Sequence, residues 1–396
     1  MKSGVQGPPE PFELSLSSLE VLAQSVGLDA VGATTAESFP ELIPLLRDYA
    51  KRGLTGFESA NIEDRIQPKR WWAPVQSLIA VALAYLTPEG HSVVHSHPQR
   101  RELWGQVSVY AYGQDYHRVL QQRMEQLALA IQIRLGRPVQ YRIAVDTSPL
   151  VDRRVAERAG IGWIGKNCML FTPSQGSFVF LGTLLTDVRV EPVTHTVPAP
   201  CGACTLCLDA CPTGALLAPG VMDATACLSF ITQCKGNIPR VYRAAMGRRI
   251  WGCDTCQWAC PENRGVTSSS NLVFNPVGEL AYPQLLEVLQ WSNREFMRRL
   301  GNTAAAWRGL RTWQRNALIA LGNTRNSQAV AHLIPYLGHD RDEFRTSSAW
   351  ALGRIGGDLA RQAVCGRWQV EPVAWVKEDI GWTIEEYFHS TTLADG

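Results

Sequence analysis

The sequence predicts three parts in series: an α/β (α+β) domain, a small module of cysteine loops, and an all-α tail of stacked helix pairs. Three observations predict them. Helical and strand-like runs alternate through the first half of the chain. Cysteines crowd between Cys201 and Cys211 and again between Cys253 and Cys260. Near the C-terminus, Gln314-Arg-Asn-Ala-Leu-Ile-Ala-Leu-Gly322 is echoed by Arg345-Thr-Ser-Ser-Ala-Trp-Ala-Leu-Gly353.

The opening, residues 1–16, is rich in Pro, Gly and Ser and reads as a flexible tail. It holds no apolar run fit for a signal peptide and no twin arginine. From Ser17 to Gly27, Leu19, Leu22, Ala23 and Val26 mark one face of a helix that stops at the glycine. Ser77–Leu86 is apolar on both faces, as in a strand covered on each side, and is too short to cross a bilayer. Asp115–Leu135 reads as a long helix with Val119, Leu120, Leu127, Ile131 and Leu135 on its buried face, and Tyr141–Asp146 and Ser177–Thr186 as strands. These elements make residues 17–195 one domain. Thr194–Pro200, with two prolines, is the expected hinge into the cysteine module at 196–275.

In that module Cys201-x2-Cys204-x2-Cys207-x3-Cys211-Pro212 has the spacing of a bacterial-type 4Fe–4S loop, and Thr213-Gly214-Ala215 continues it as in ferredoxins. Cys253-x2-Cys256-x3-Cys260-Pro261 answers it, with Cys227 between. The fourth cysteine of such a run serves the other cluster. Crossing gives Cys201, Cys204, Cys207 and Cys260 to one site, and Cys211, Cys227, Cys253 and Cys256 to the second. Zinc knuckles also use Cys-x2-Cys pairs, but four cysteines within eleven residues and a proline after each last one favour clusters. Cys168, Cys234 and Cys365 lack ligand spacing.

Residues 276–396 complete the chain. The echoed glycines, Gly322 and Gly353, stand thirty-one residues apart, with Ala331–Leu337 as a second helix between them, the pattern of a short HEAT-like repeat. Bulk composition excludes global disorder, with 45% hydrophobic and 19% charged residues, and a net charge of +2 declares no partner. Eleven cysteines in 396 residues do not suit a small disulfide-stapled secreted domain, so a reduced, cytoplasmic setting is expected.

Two clusters alone would make only a wire, so the first domain is expected to hold the place where electrons are used. The segment from Val145 to Met169 reads as strand end, turn at Pro149, helix and Gly-rich turn. Open sheets bind ligands at the carboxyl ends of strands, where Asp146 sits, though a helix cap is the plainer reading of Asp146 alone. Gly160-Ile-Gly-Trp-Ile-Gly165 follows a helix, not a strand, so its glycines suit a tight turn or the close approach of a flat ligand. Arg240, Arg243, Arg248, Arg249, Arg294, Arg298, Arg299, Arg308, Arg311 and Arg315, interleaved with Trp291, Phe296, Trp307 and Trp313, suit either a phosphate backbone with stacked bases or a solvated face over core tryptophans.

These motifs converge. Val145-Asp-Thr, Ala156-Glu-Arg-Ala-Gly-Ile-Gly162, Lys166-Asn-Cys-Met169, Cys201 through Leu216, Cys227-Leu-Ser-Phe, Gly252-Cys-Asp-Thr-Cys-Gln257, Ser292-Asn-Arg-Glu-Phe296, Trp307-Arg-Gly and Gln314-Arg-Asn-Ala together resemble the epoxyqueuosine reductases. That resemblance implies a cobalamin-binding domain related to reductive dehalogenases, a two-cluster ferredoxin-like module and a HEAT-like domain. It implies two 4Fe–4S clusters and cobalamin, resting as cob(II)alamin, fed by an external electron donor. The substrate would be tRNA carrying epoxyqueuosine, reduced to queuosine in the last step of its synthesis, by a monomer with no membrane attachment.

Carried over by motif, Asp146 would be the proton donor, with burial keeping it protonated. Arg65, Ser108, Asp146, Leu170, Leu181, Ser229, Asp254 and Thr255 would border the cobalamin, and Arg153, Lys235 and the repeat domain 276–396 would contact tRNA. Ser108 departs from relatives that carry a cysteine there, so a thiolate at that position is not essential. A dehalogenase-like small-molecule reductase and a non-enzymatic electron carrier are the alternatives. The missing twin-arginine signal and the repeat tail weigh against the former, and tight corrinoid binding would exclude the latter.

Overall fold

A computed structural model of the chain describes residues 12–95 and 103–388. Four segments build a sheet in the order Ala30–Thr35, Ser77–Ala84, Val179–Thr186, Tyr141–Ala144. Every neighbouring pair is antiparallel, so this is an α+β sheet, and the rule that places ligands at the ends of parallel strands does not apply to it. Side chains alternate along a strand, so the fully buried Ser77–Ala84 serves two cores. Ile79, Val81 and Leu83 pack with Leu19, Leu120, Met124 and Leu127 of the helices Leu16–Ser25 and Tyr116–Leu135. Leu78, Ala80, Ala82 and Ala84 pack with Leu42, Leu46, Val155 and Ala159 on the other face. Gly182 lets the long helix close on the sheet, for a Cβ there would stand 2.6 Å from the Met124 sulfur.

Asp115, expected as the first residue of that long helix, is its cap, its carboxylate accepting from His117 N at 3.1 Å. Residues 1–11 of the expected tail lie outside the described residues. Glu13 and Leu14 are held: Glu13 N donates to Arg189 O at 2.8 Å, and Leu14 is buried and bridges to Val190. The Gly160–Gly165 run turns the chain and packs it on itself. Trp163–Ile164 pairs with Leu170–Phe171, and a Cβ on Gly162 would lie 1.8 Å from Phe171 O, so the close approach is to the protein's own backbone.

Beyond an irregular, largely exposed connector over residues 194–199, two short helices, Leu206–Asp209 and Thr255–Trp258, carry Cys207 and Cys256. The tail stacks Leu310–Thr324, Asp342–Ile355, Asp358–Val370 and Ala374–Phe388. The expected Ala331–Leu337 helix is one α turn, Val330–Leu333, followed by a 3₁₀ stretch, Ile334–Gly338, because Pro335 lacks the N–H to continue an α-helix.

Buried polar groups fasten the tail to the cysteine module. Arg315 Nη1 donates to Cys234 O and Gly236 O at 2.7 and 2.6 Å, and Asn316 Nδ2 to Thr232 O and Ile250 O at 2.7 and 2.8 Å. Arg243, wholly buried, grips Asp379 through both guanidinium ends. Trp251 joins all three parts: its indole donates to Tyr110 Oη at 2.9 Å and its ring stacks near Trp313. Among the described residues no helix is long and apolar enough to cross a membrane.

Candidate active site

A cavity of about 620 Å³ opens between the sheet and the cysteine module. Leu170 and strand residue Leu181 give it apolar lining, and the helix Ile43–Arg52 adds Leu46, Tyr49 and Arg52. Arg65, Ser108, Asp146, Arg153, Ser229, Asp254 and Thr255 all line this space, together with Cys211, Cys227, Cys253 and Cys256. Cys201, Cys204, Cys207 and Cys260 line a separate cavity of about 100 Å³. Lys235 is exposed, and it is not among the residues lining either cavity.

Asp146 stands just past the strand Tyr141–Ala144 with φ at +53°, a backbone that aspartate tolerates better than most residues. Its side chain is exposed to the cavity, so it is not the buried group that the sequence led us to expect. It caps no helix either; Val151 precedes the Asp152–Arg158 helix. Asp146 Oδ2 accepts a hydrogen bond from the Tyr116 hydroxyl. Tyr116 lies flat on Phe180 at 4.2 Å, and burial followed by the Asp146 charge pushes its hydroxyl well above the ordinary phenol range. Asp152 is half-buried, with its Oδ1 buried. Burial, then the nearby Asp146 charge, holds its carboxyl well above the usual range.

Asp254 lines the same chamber. It is half-buried, and desolvation raises its carboxyl although Ser108 Oγ and Val109 N (2.8 Å) both donate to it. Gly252 makes this contact possible: its φ is +69°, and a Cβ there would come within 2.5 Å of Ser108 Cβ. Thr255 Oγ1 accepts from Arg249 Nη2 at 2.8 Å and lies 3.3 Å from Cys253 Sγ.

The eleven cysteines are all free thiols. Burial and the neighbouring thiol charges push Cys227 up to about 11 and Cys256 higher still. Thiols so gathered need a cationic centre before they can ionise together. Lys166 and Asn167 hold the two cysteine loops at once. Lys166 Nζ donates to Gly202 O and Cys204 O at 2.6 and 2.9 Å, and Asn167 Nδ2 reaches Cys256 O at 3.3 Å.

Much of the basic–aromatic cluster is structural. Arg243 and Arg315 are buried, Trp313 and Phe296 are core, and Arg298 and Arg299 both bond Glu295. Arg308 lies over the rings of Trp307 and Phe57, 3.7 and 4.9 Å from their centroids, on a surface where Trp307 keeps 55% exposure. Tyr116, Asp152 and Arg52 were not singled out from sequence, and Arg249 was read only as part of the basic cluster. Asp152 alone carried a signal, its place six residues after Asp146 in the same motif.

Comparisons with known proteins agree on one family. Residues 65–147 match the profile described as epoxyqueuosine reductase QueG, DUF1730; residues 200–263 match a 4Fe–4S double cluster binding domain; residues 311–385 match HEAT repeats. The epoxyqueuosine reductase of Bacillus anthracis is 39% identical over 355 residues, covering 89% of this chain and 92% of the relative. That of Bacillus subtilis is 40% identical over 84% of this chain and 86% of its own. A crystal structure of an epoxyqueuosine reductase with an epoxyqueuosine-modified tRNA stem loop superposes with a TM-score of 0.86 at 37% identity, covering 93% of this chain and 97% of that one. The Bacillus subtilis enzyme, solved with an aspartate-bearing catalytic loop swung out of the active site, gives 0.85 at 36%, over 93% and 98%.

Proposed function

The chain belongs to the epoxyqueuosine reductase family, and on that premise we propose that it reduces epoxyqueuosine in tRNA to queuosine. One observation carries the reading: a single chamber is lined by Asp146, by apolar side chains and by four cysteine thiols. The solved relative with a modified stem loop supports tRNA as the substrate.

The donor set fits the groups that the reaction needs. Two sets of four free thiols, each around its own cavity, suit two 4Fe–4S clusters better than any disulfide scheme. The Nε atoms of Arg52 and Arg65 are buried in the chamber and have no hydrogen-bond partner, so they await an acceptor such as the amide and phosphate periphery of cobalamin. Leu170 and Leu181 would meet its apolar surface, and Ser108, Ser229, Asp254 and Thr255 its edge. Bound, cobalamin supplies a strongly reducing cobalt, and the clusters supply its electrons one at a time from an external donor.

The chain's residues govern the proton and the geometry. Opening the epoxide develops negative charge on oxygen, and Asp146 would hold the proton that this oxygen takes. The Tyr116 hydroxyl fixes the orientation of that carboxyl. Arg153 at the chamber and exposed Lys235 would meet tRNA phosphates. The test is mass spectrometry of nucleosides from epoxyqueuosine-containing tRNA after anaerobic incubation with reconstituted protein, cobalamin and a strong reductant. Loss of one oxygen is expected, and an unchanged nucleoside with all cofactors verified would refute the reading.

A further inference from the structure

Three parts of the chain meet in one aromatic corner beside the chamber. Phe57 comes from the first domain, Phe230 from the cysteine module, and Trp307 from the stretch just before the helix Leu310–Thr324. The Phe57 ring lies 5.2 Å from Phe230 and 5.4 Å from Trp307, steeply inclined to both. The Arg308 guanidinium rests against Trp307 and Phe57 together. Rings gathered only to fill a core would be buried, yet Phe57 keeps 46% exposure and Trp307 keeps 55%.

Hydrogen bonds fix the corner and tie it to the chamber. Trp307 Nε1 donates to Gln233 Oε1 at 2.9 Å, and Gln233 Nε2 donates to the backbone oxygen of Ser229, a chamber residue, at 2.8 Å. On the other side Glu58 accepts from Phe57 N at 3.1 Å and from the hydroxyl of Tyr49, also a chamber residue, at 2.8 Å. The indole N–H and the Glu58 carboxylate are therefore engaged within the protein, and the corner offers ring surface and positive charge to the outside. Arg308 Nε is buried without a hydrogen-bond partner. Lys235, two residues beyond Gln233, and Arg311, four beyond Trp307, are both exposed.

We propose that this corner is a base-stacking platform, which takes an unpaired base of the tRNA loop beside the modified nucleotide when that nucleotide enters the chamber. The proposal rests on the reading of modified tRNA as the substrate. Turning one nucleotide out of a loop deprives its neighbours of a stacking partner. Aromatic rings and guanidinium planes replace such a partner, and they accept any base because every base has a π face. An indole already fixed by Gln233 and Arg308 loses little freedom when a base settles on it. The flanking cations suit the phosphates on either side of that base. A free nucleoside has no neighbouring base to fill the corner, so the platform favours the nucleotide in its RNA.

The test crosses protein variants with RNA variants. Binding to the protein reconstituted with clusters and cobalamin is read by anaerobic filter retention. The RNAs are epoxyqueuosine-containing tRNA and a stem loop with guanosine at the modified position, the latter also made abasic at each other loop nucleotide in turn. Trp307→Ala should weaken both intact RNAs about 10-fold, and Trp307→Phe much less. One abasic position should weaken binding to the unaltered protein by a similar factor and cost Trp307→Ala nothing further, because the same stack is removed twice. The salt dependence of binding should be the same for Trp307→Ala as for the unaltered protein, since no phosphate contact is lost.

Trp307→Ala binding the intact RNAs as tightly as the unaltered protein would overturn the proposal, and so would penalties that multiply at every abasic position. Should Trp307→Ala not fold, Phe57→Ala enters the same cycle with the same expectation. Failure of the unaltered protein to bind even epoxyqueuosine-containing tRNA would instead overturn the reading of tRNA as the substrate, whereas failure of the cycle alone would leave that reading standing.

Discussion

Asp379→Ala is the substitution whose cost the structure sets most clearly. Arg243 is fully buried, and its guanidinium meets the Asp379 carboxylate twice, Nη1 to Oδ1 at 2.8 Å and Nη2 to Oδ2 at 2.9 Å. Its other donors go to Ile238 O at 2.9 Å and Asn237 Oδ1 at 3.1 Å, neither of them a charge. Removing the carboxylate leaves a buried cation without a counter-charge, which costs roughly 3–5 kcal/mol. For a chain of this size that corresponds to a fall of about 5 °C in the melting transition. Thermal and urea unfolding followed by tryptophan fluorescence would read it. Asp358→Ala, whose carboxylate is 86% exposed beside Arg361, is the control and should change stability by about 0.5 kcal/mol or less. Arg243→Met with Asp379→Leu, which removes both charges, should recover most of the loss. A cost below about 1 kcal/mol for Asp379→Ala, or a double variant no better than the single, would show that this pair does not hold the tail to the cysteine module.

Four further outcomes follow from the same structure. Asp146→Asn should abolish reduction by about 10²-fold or more while corrinoid binding, read by its visible absorption, is unchanged. Cys260→Ala should cut iron to about half of the eight atoms expected for two 4Fe–4S clusters, and the electron paramagnetic resonance signal of the remaining cluster should match that of a Cys201→Ala variant rather than a Cys256→Ala variant. Glu371 is desolvated, yet bonds from Arg345 and Arg367 hold its carboxyl below 4.5, so its contribution is complete above that pH and is lost as pH falls through the lowered value. Glu371→Gln should therefore be less stable at neutral pH, and the gap in unfolding midpoint should close on acidification. Binding of tRNA, measured by filter retention, should weaken steeply between 50 and 200 mM salt, as phosphate contacts require.

How much of this was legible in the sequence depended on how local the cause was. Cysteine spacing is a local constraint, and a loop of Cys-x2-Cys-x2-Cys leaves its fourth cysteine facing another partner, which is how the two cavities group them. The long helix was legible because Asp115 and Gly136 punctuate a 3.6-residue pattern at both ends. The two-faced strand Ser77–Ala84 was legible as buried, but apolar composition on both faces says nothing of strand direction, so the antiparallel pairing was not. Ala30–Thr35, with its glycine and threonines, lacked a strand pattern and exists because it pairs with Ser77–Ala84. At the site, Asp146 was found by motif but its exposure was not, since exposure belongs to the assembled chamber. Tyr116 and Arg52 carried no signal at all. Each reaches the site from a helix whose other residues read as ordinary amphipathic surface. The arginine cluster misled for the opposite reason: Arg243 and Arg315 look like surface charge, yet both are interior fasteners.

Those fasteners bear on how the reaction is organised. On the reading proposed above, electrons would pass from the four thiols around the small cavity to the four that line the chamber. That order is useful only if the two cysteine loops keep a fixed separation while tRNA comes and goes. Lys166 and Asn167 supply the tie, one side chain to each loop, from a turn between the paired strands Trp163–Ile164 and Leu170–Phe171. The repeat tail is bonded to the same module through Arg315, Asn316 and Asn323, whose amide donates to Arg243 O and Gly247 O at 2.8 and 2.9 Å. The tail is thereby fixed to the cysteine module, and it also meets the first domain, where Leu285 N donates to Leu103 O at 2.9 Å and Asp115 N to Asn302 O at 2.7 Å.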